Sequence, residues 1–217
     1  LPTRTRRQRQ MCIRDRHQFR HSAFCLKVRM VLQAKGLSYR TVEVTPGVGQ
    51  VAVFRLSGQR QVPVLVDGET VLADSTAIAL HLEQREVDPA LVPTDPRQAA
   101  QVRLLEDWAD TTLAAAVRVA LVQAAALDPQ LRVALLPDDL PDPVRRVMGS
   151  IPGGWVSNVT ELVNQNERAE LLASLEQLSV AVQAAPWLVG NSMSLADLAV
   201  AALSLIHISE PTRPGHI

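Results

Sequence analysis

The sequence predicts a chain of two parts, an α+β unit over residues 17–85 and an all-helical unit over residues 96–202, joined by a linker at 86–95. Three stretches carry this prediction. The first is Gly58 to Leu82, in which a strand at Val62-Pro63-Val64-Leu65-Val66 meets an Asp67-Gly68 turn, a second strand (Thr70 to Ala73) and a helix opened by Asp74-Ser75. Asp-Gly is a preferred pair for a type I′ hairpin, because both central residues take positive φ there. The second is Arg97 to Leu127, which contains neither Gly nor Pro and is dominated by alanine and leucine, so it reads as one long helix with room for a kink. The third is Ser194-Leu195-Ala196-Asp197, a capping box, with Met193 and Leu198 placed to staple it.

The two ends are set apart before the elements are read. Met11-Cys12-Ile13-Arg14-Asp15 can be written ATG TGT ATA AGA GAC, and Leu203-Ser204-Leu205-Ile206-His207 can be written CTG TCT CTT ATA CAC. These strings are reverse complements over their shared length, a relation that protein function does not require. The common string resembles the transposon end used in sequencing-library adapters, and Arg6–Gln10 and Ile208–Arg213 continue in frame as flanking arms. Residues 1–16 and 203–217 are therefore expected to be adapter-derived and non-native; the alternative is a natural basic arm and a short tail. On this reading the helical unit is cut off after Ala202 and the first strand has lost its beginning.

The exclusion changes what composition implies. The arm holds Arg4, Arg6, Arg7, Arg9, Arg14 and Arg16 against Asp15, while Glu210 and Arg213 cancel in the tail, so a formal net charge of zero becomes five negative. Nothing basic then points to nucleic acid. Cys25 is the one cysteine left, which fits a reducing, cytoplasmic setting. No signal peptide survives, and no apolar run reads as long and unbroken enough for a membrane span.

Taken in order, His17-Gln18-Phe19-Arg20 reads as the end of a first, central strand. Ser22 precedes a helix with Phe24, Cys25, Val28, Val31 and Leu32 on one side and Lys27, Arg29 and Lys35 elsewhere, closed by Gly36. Leu37 to Val44 reads as a second strand, ended by Thr45-Pro46-Gly47, and Gln50 to Leu56 as a short helix or turn. The hairpin and a third helix (Ser75 to Gln84) complete the order β-α-β-α-β-β-α, that of a thioredoxin-like domain. Glu86 to Thr94, with Pro89 and Pro93, is the linker. Asp95 and Pro96 then suit the N-cap and first position of the long helix. Asp128 to Gly154 carries five prolines, with short helices expected near 131–136 and 144–148. Glu167 to Ala184 reads as a helix from Leu171, Leu172, Leu175, Leu178 and Val182 at helical spacing.

The order Val-Pro-Val-Leu, hairpin, acidic residue, serine, helix resembles the glutathione-binding half of the glutathione transferases, and the resemblance extends over about residues 17–202. It implies a thioredoxin-like N-terminal domain followed by an all-helical C-terminal domain, a cis Val62-Pro63 bond, pairing of the Val62 backbone with the cysteinyl part of glutathione, and a grip on the γ-glutamyl end by Asp74 and Ser75. Gln61 falls where the family often places a residue near the glycyl carboxylate, with Arg60 a neighbouring candidate and solvated surface the alternative for both. A homodimer packed through the long helix near Arg97 to Ala126 and the region around Ser75 is also implied.

Ser22 is the expected catalytic residue. It stands between a strand end and a helix start, where free amides and the helix dipole favour negative charge. Its hydroxyl can donate to the thiolate of bound glutathione, lowering a thiol of ordinary pKa, about 8.5, by roughly one to two units. The structural alternative is a plain N-cap. For Asp74 and Ser75, pairing with the ammonium and carboxylate of a γ-glutamyl group stands beside simple helix capping. Ser22-Ala23-Phe24-Cys25 has Cys-x-x-Cys spacing without its first cysteine, so Cys25 is read as a small buried residue rather than a redox group. His21 and His81 have no metal-ligand spacing, and no metal is assigned. Trp108 is placed either in the core or against an electrophile.

The expected activity is conjugation of reduced glutathione to a small electrophile. The rival expectation is a non-catalytic module that keeps the scaffold.

Overall fold

The computed structural model describes residues 14–45, 48–136, 140–150 and 165–205. A four-stranded sheet in the order β2-β1-β3-β4 forms the N-terminal unit. Its strands are β1 (Arg14–Gln18), β2 (Arg40–Glu43), β3 (Val64–Asp67) and β4 (Thr70–Leu72), and its helices α1 (Ala23–Ala34), α2 (Val48–Ser57) and α3 (Ser75–Arg85). β1 pairs parallel with β2 and antiparallel with β3, which pairs antiparallel with β4. This is the expected thioredoxin-like order, and the all-helical region follows it.

The first strand is shifted from its expected place. It runs over Arg14–Gln18 rather than through His17-Arg20, so residues 14–16, read as adapter-derived, supply its first half. The pairing has a cost visible in the side chains. Arg16 stands opposite Leu65 and is 1 % exposed, with its guanidinium 4.6 Å over the Tyr39 ring and Nη2 donating to Thr41 Oγ1 at 3.3 Å. Its Nε and Nη1 have no hydrogen-bond partner. Burial pushes the Arg16 guanidinium pKa down. At the other end Leu203, also read as adapter-derived, is buried in the last helix.

α1 ends as the sequence predicts. Gly36 takes φ of 61°, its N–H reaches Gln33 O at 3.0 Å and the Leu37 N–H reaches Leu32 O at 2.9 Å, which is the Schellman arrangement. Its faces differ from expectation, because Lys27 and Lys35 are both buried. They lie four residues before and four after Val31, on the same stripe, and each reaches a carboxylate that satisfies it. Lys35 Nζ pairs with Glu83 at 2.5 Å and donates to Pro89 O at 2.6 Å.

The hairpin turn also differs. Asp67 pairs with Thr70, so the two central residues are Gly68 and Glu69. Gly68 alone takes positive φ, 65°, since no residue other than glycine does so among those described. Glutamate resists positive φ, and a glycine at the first central position followed by a residue of negative φ has the signature of a type II′ turn rather than type I′.

The linker is held down rather than loose. Leu91 is buried, its N–H meets Glu83 Oε1 at 3.0 Å, and its carbonyl accepts from Leu195 N at 2.8 Å. Asp95 then caps α4 (Pro96–Trp108) by accepting from Gln98 N at 2.9 Å. A π-helical turn at Ala109–Leu113 connects α4 without a break to α5 (Ala114–Leu127). The continuous Pro96–Leu127 helix is in fact long and apolar enough to cross a membrane by length and composition, contrary to expectation. It carries the buried residues Val102, Ala109, Leu113, Ala114, Ala116 and Val117 on its inner side, within the protein's own core.

α6 (Pro129–Ala134), α7 (Asp142–Ser150), α8 (Gln165–Ala184) and α9 (Leu195–Leu205) complete the described helices. Pro46, Gly47, Pro137 and Pro152 lie outside the described residues. In α8, Leu178 packs on the core while Leu172, Leu175 and Val182 are exposed. The capping box of α9 forms through Asp197, whose carboxylate accepts from Ser194 N at 2.8 Å, Ser194 Oγ at 2.7 Å and Leu188 N at 2.8 Å. The main core joins both units: Val28, Val31, Leu32, Leu65, Ile78 and Leu82 pack with Leu91, Val102, Leu195 and Leu198.

Candidate functional site

Strand directions gather the expected site residues at one end of the sheet. β1 runs towards the turn that ends in Ser22. β3 starts from the same end, since His17 faces Val64, and β4 runs back to it, since Leu65 faces Leu72. Ser22 after β1, Val62-Pro63 before β3 and Asp74-Ser75 after β4 therefore share that end. Two helices, α1 and α3, also begin there, with their positive dipole ends towards it.

Ser22 is the N-cap of α1, with φ −90° and ψ 120°, and its Oγ accepts from Cys25 N at 3.3 Å. The half-buried hydroxyl thus has its oxygen engaged by the helix while its own proton can be aimed elsewhere. Cys25 is 1 % exposed. Burial pushes its thiol up, and hydrogen bonds with Ser22 and the Phe19 backbone work the other way. A protonated, enclosed thiol is a poor nucleophile. Beside Ala23, the half-buried Phe24 and Trp108 pack on the cluster formed by Ala109, Leu113 and Val117, giving the Ser22 end an apolar flank.

The Val62-Pro63 bond is cis. Val62 is half-buried and lies just before the β1–β3 ladder. Gln61 and Arg60 are both exposed, and the Arg60 guanidinium sits 5.9 Å from the centre of the Phe54 ring. Asp74 is exposed and caps α3, its Oδ1 accepting from Ala77 N at 2.8 Å. Ser75 is 4 % exposed, with Oγ 3.4 Å from Asp110 Oδ2.

That last contact belongs to a cluster which the sequence reading missed. Lys27 Nζ of α1 reaches Glu106 Oε1 and Asp110 Oδ2, each at 2.5 Å, and donates to Thr76 Oγ1 at 3.2 Å. Thr76 donates in turn to Glu106 and lies 3.3 Å from Asp110. One cation from α1 thereby joins two carboxylates of the long helix to the first turn of α3. Burial pushes the Asp110 carboxyl up, the Lys27 ammonium opposes this, and the neighbouring Glu106 adds to it. Two signals were available in the sequence: Lys27 lies on the apolar stripe of α1, and Glu106 and Asp110 are one helical turn apart in a helix otherwise rich in alanine and leucine.

Away from this end, Asp67 at the hairpin is buried and meets His81 Nε2 at 2.9 Å, Arg14 Nε at 3.2 Å and Arg85 Nε at 3.7 Å. No group of three His, Cys, Asp or Glu among the described residues is arranged to hold a metal ion.

The strand order, the helical region and the shared sheet end define a chain with the glutathione transferase fold. Residues 17–90 match the family described as glutathione S-transferase, N-terminal domain. The stringent starvation protein A homolog of Pasteurella multocida is 36% identical over 90 residues, which are 39% of this chain and 42% of that protein. The chain thus matches less than half of that relative's length. A glutathione S-transferase of Pseudomonas putida is 25% identical over 182 residues, 84% of this chain and 69% of that protein. The crystal structure of a glutathione S-transferase from Rhodospirillum rubrum F11 superposes with a TM-score of 0.68 at 24% identity, covering 93% of this chain and 81% of that one.

Proposed function

We propose that the chain is a serine-type glutathione transferase that binds reduced glutathione at the shared sheet end and conjugates it to a small electrophile. The convergence of Ser22, Val62-Pro63 and Asp74-Ser75 on that end is the observation that carries the reading. The cysteinyl backbone of glutathione pairs with Val62 in the manner of an added strand. Its γ-glutamyl carboxylate meets the amides at the start of α3, Asp74 and Ser75 hold that end, and Gln61 lies towards the glycyl carboxylate.

The thiol is then brought to Ser22. Ser22 Oγ accepts from the helix, its O–H proton turns from the Cys25 side chain to donate to the glutathione sulfur, and the α1 dipole favours the negative charge. The thiolate attacks the electrophile against the Phe24 and Trp108 flank. Cys25 takes no part. The same reading carries a homodimer through the outer side of the long helix, where Leu104 is 71 % exposed, and a cytoplasmic setting. Residues 1–16 and 203–217 remain proposed as adapter-derived.

A second reading has support of its own: the Pasteurella multocida relative is named as a stringent starvation protein homolog and not as a transferase. On that reading the scaffold is a non-catalytic interaction module. Thermal melts with reduced glutathione at about a hundredfold above its dissociation constant should add about 2.7 kcal/mol if the site is formed. Turnover that collapses in Ser22→Ala, with glutathione still bound, supports the enzyme; glutathione binding with no turnover in the unaltered chain favours the module.

A further inference from the structure

The two backbone arms of the candidate site leave the sheet by different connections. Val62-Pro63 ends the connection from α2 to β3, and Asp74-Ser75 begins the one from β4 to α3. The hairpin joins these arms at its far end, through Gly68 and Glu69, while at the site end the described ladder stops at Leu65 and Leu72. Continued in register it would set Val64 opposite Ala73 and Pro63 opposite Asp74, and Pro63 has no N–H to give. The ladder alone does not hold this open end together.

Gln59 does. Its side-chain Nε2 donates to the Ala73 carbonyl, 14 residues on in sequence and next to Asp74. The base of this tie is itself fixed. α2 closes with Gly58 at φ 77°, whose N–H reaches Phe54 O at 2.8 Å. Ser57 Oγ donates to Val53 O at 2.9 Å and accepts from Gln59 N at 3.5 Å. Val62 and Ala73, one from each arm, pack on the same small cluster of Val44, Val53 and Val64. Arg60 and Gln61, between the tie and Val62, are exposed.

We propose that Gln59 is a positioning residue that sets the spacing between the Val62 backbone and the Ser75 amide, so that one γ-glutamyl-cysteinyl peptide engages both. This rests on the glutathione-binding reading above, and Gln59 acts through Ala73 rather than by contact with the tripeptide. A bonded carbonyl fixes the peptide plane between Ala73 and Asp74, and with it the direction in which the chain enters α3. A ligand held on one arm meets the other as an intramolecular partner only while their spacing matches its own length. Without the tie each arm still binds its own fragment, and the gain from joining the two is lost.

The probes are S-methylglutathione and N-acetyl-S-methylcysteinylglycine, in which an acetyl group replaces the γ-glutamyl group, each titrated into the full chain by NMR. Gln59→Met keeps the length of the side chain and removes the donor. The expected result is an affinity for S-methylglutathione about tenfold lower than in the unaltered chain, with that for the acetylated dipeptide changed by less than about twofold. Gln59→Asn, whose amide is one methylene short of the Ala73 carbonyl, gives the same readout if the methionine variant does not fold. Unchanged binding of S-methylglutathione overturns the proposal and leaves the glutathione reading intact. Equal losses for both ligands overturn it too, because they mark Gln59 as a staple of its loop that leaves the spacing alone. No binding of S-methylglutathione to the unaltered chain overturns both.

Discussion

Lys27 Nζ lies 2.5 Å from Asp110 Oδ2, across the boundary between the sheet-bearing unit and the helical one. Asp110 lies within the π-helical turn at Ala109–Leu113, and its Oδ2 is 3.4 Å from Ser75 Oγ at the start of α3. π-Helical turns of this kind occur often at functional sites.

Replacing Lys27 with methionine keeps the length of the side chain and removes the charge. Glu106 and Asp110 would then face one another buried and uncompensated. The expected loss is about 3–5 kcal/mol in urea unfolding at neutral pH, the usual result of removing one partner from a buried ion cluster.

Arg16→Leu should move stability the other way. The arginine fills a core position opposite Leu65 with two guanidinium nitrogens lacking partners. Relieving them should add about 1–3 kcal/mol, read as a higher urea midpoint with an unchanged slope.

Ser22→Ala should separate binding from chemistry. Glutathione affinity should change little, while the thiol pKa of the bound tripeptide, followed by thiolate absorbance, should rise by about one to two units, with a roughly 10–100-fold fall in turnover near neutral pH. Loss of the N-cap should cost about 1 kcal/mol of stability. Cys25→Ser should leave turnover in place.

Two carboxylates should give opposite pH signatures in stability. Burial, opposed by Lys27, holds the Asp110 carboxyl above its ordinary range. The folded chain therefore keeps a proton there that the unfolded chain gives up. That contribution is complete below the unfolded value and declines as pH rises through the folded one. At Asp67 burial pushes upwards, but the His81 hydrogen bond and the charges of Arg14 and Arg85 hold the carboxyl below its ordinary range. Its contribution is present above the unfolded value and is lost as pH falls through the folded one. Denaturant unfolding from about pH 3 to pH 7 checks both: Asp110→Asn should remove a falling limb and Asp67→Asn a rising one.

What the sequence made legible was local chemistry. Ser22, Gly36, Asp95 and Asp197 mark helix ends by rules that need only neighbouring residues, and each sits at the end it predicts. The hairpin was legible too, but its turn slipped by one residue, because pairing of Asp67 with Thr70 decides which residues are central. The gathering of Ser22, Val62 and Ser75 could be read only through an assumed strand order. The Lys27 cluster was missed because its members are 79 and 83 residues apart, and a lysine is taken for a surface residue until its partners are located. The start of β1 was not read for a different reason: residues 1–16 were set aside as adapter-derived, whereas the sheet takes Arg14, Asp15 and Arg16 into the strand, with Arg16 buried.

The Lys27 cluster also bears on how this chain can change over generations. Its cation is encoded in one half of the chain and both its carboxylates in the other, on either side of the linker. A crossover within residues 86–95 that joined this front half to a back half with uncharged residues at 106 and 110 would leave the lysine stranded. The reverse joining would strand the two acids. The two halves are thus a matched set at these positions, and an exchange that preserves the cluster has to carry all three residues together.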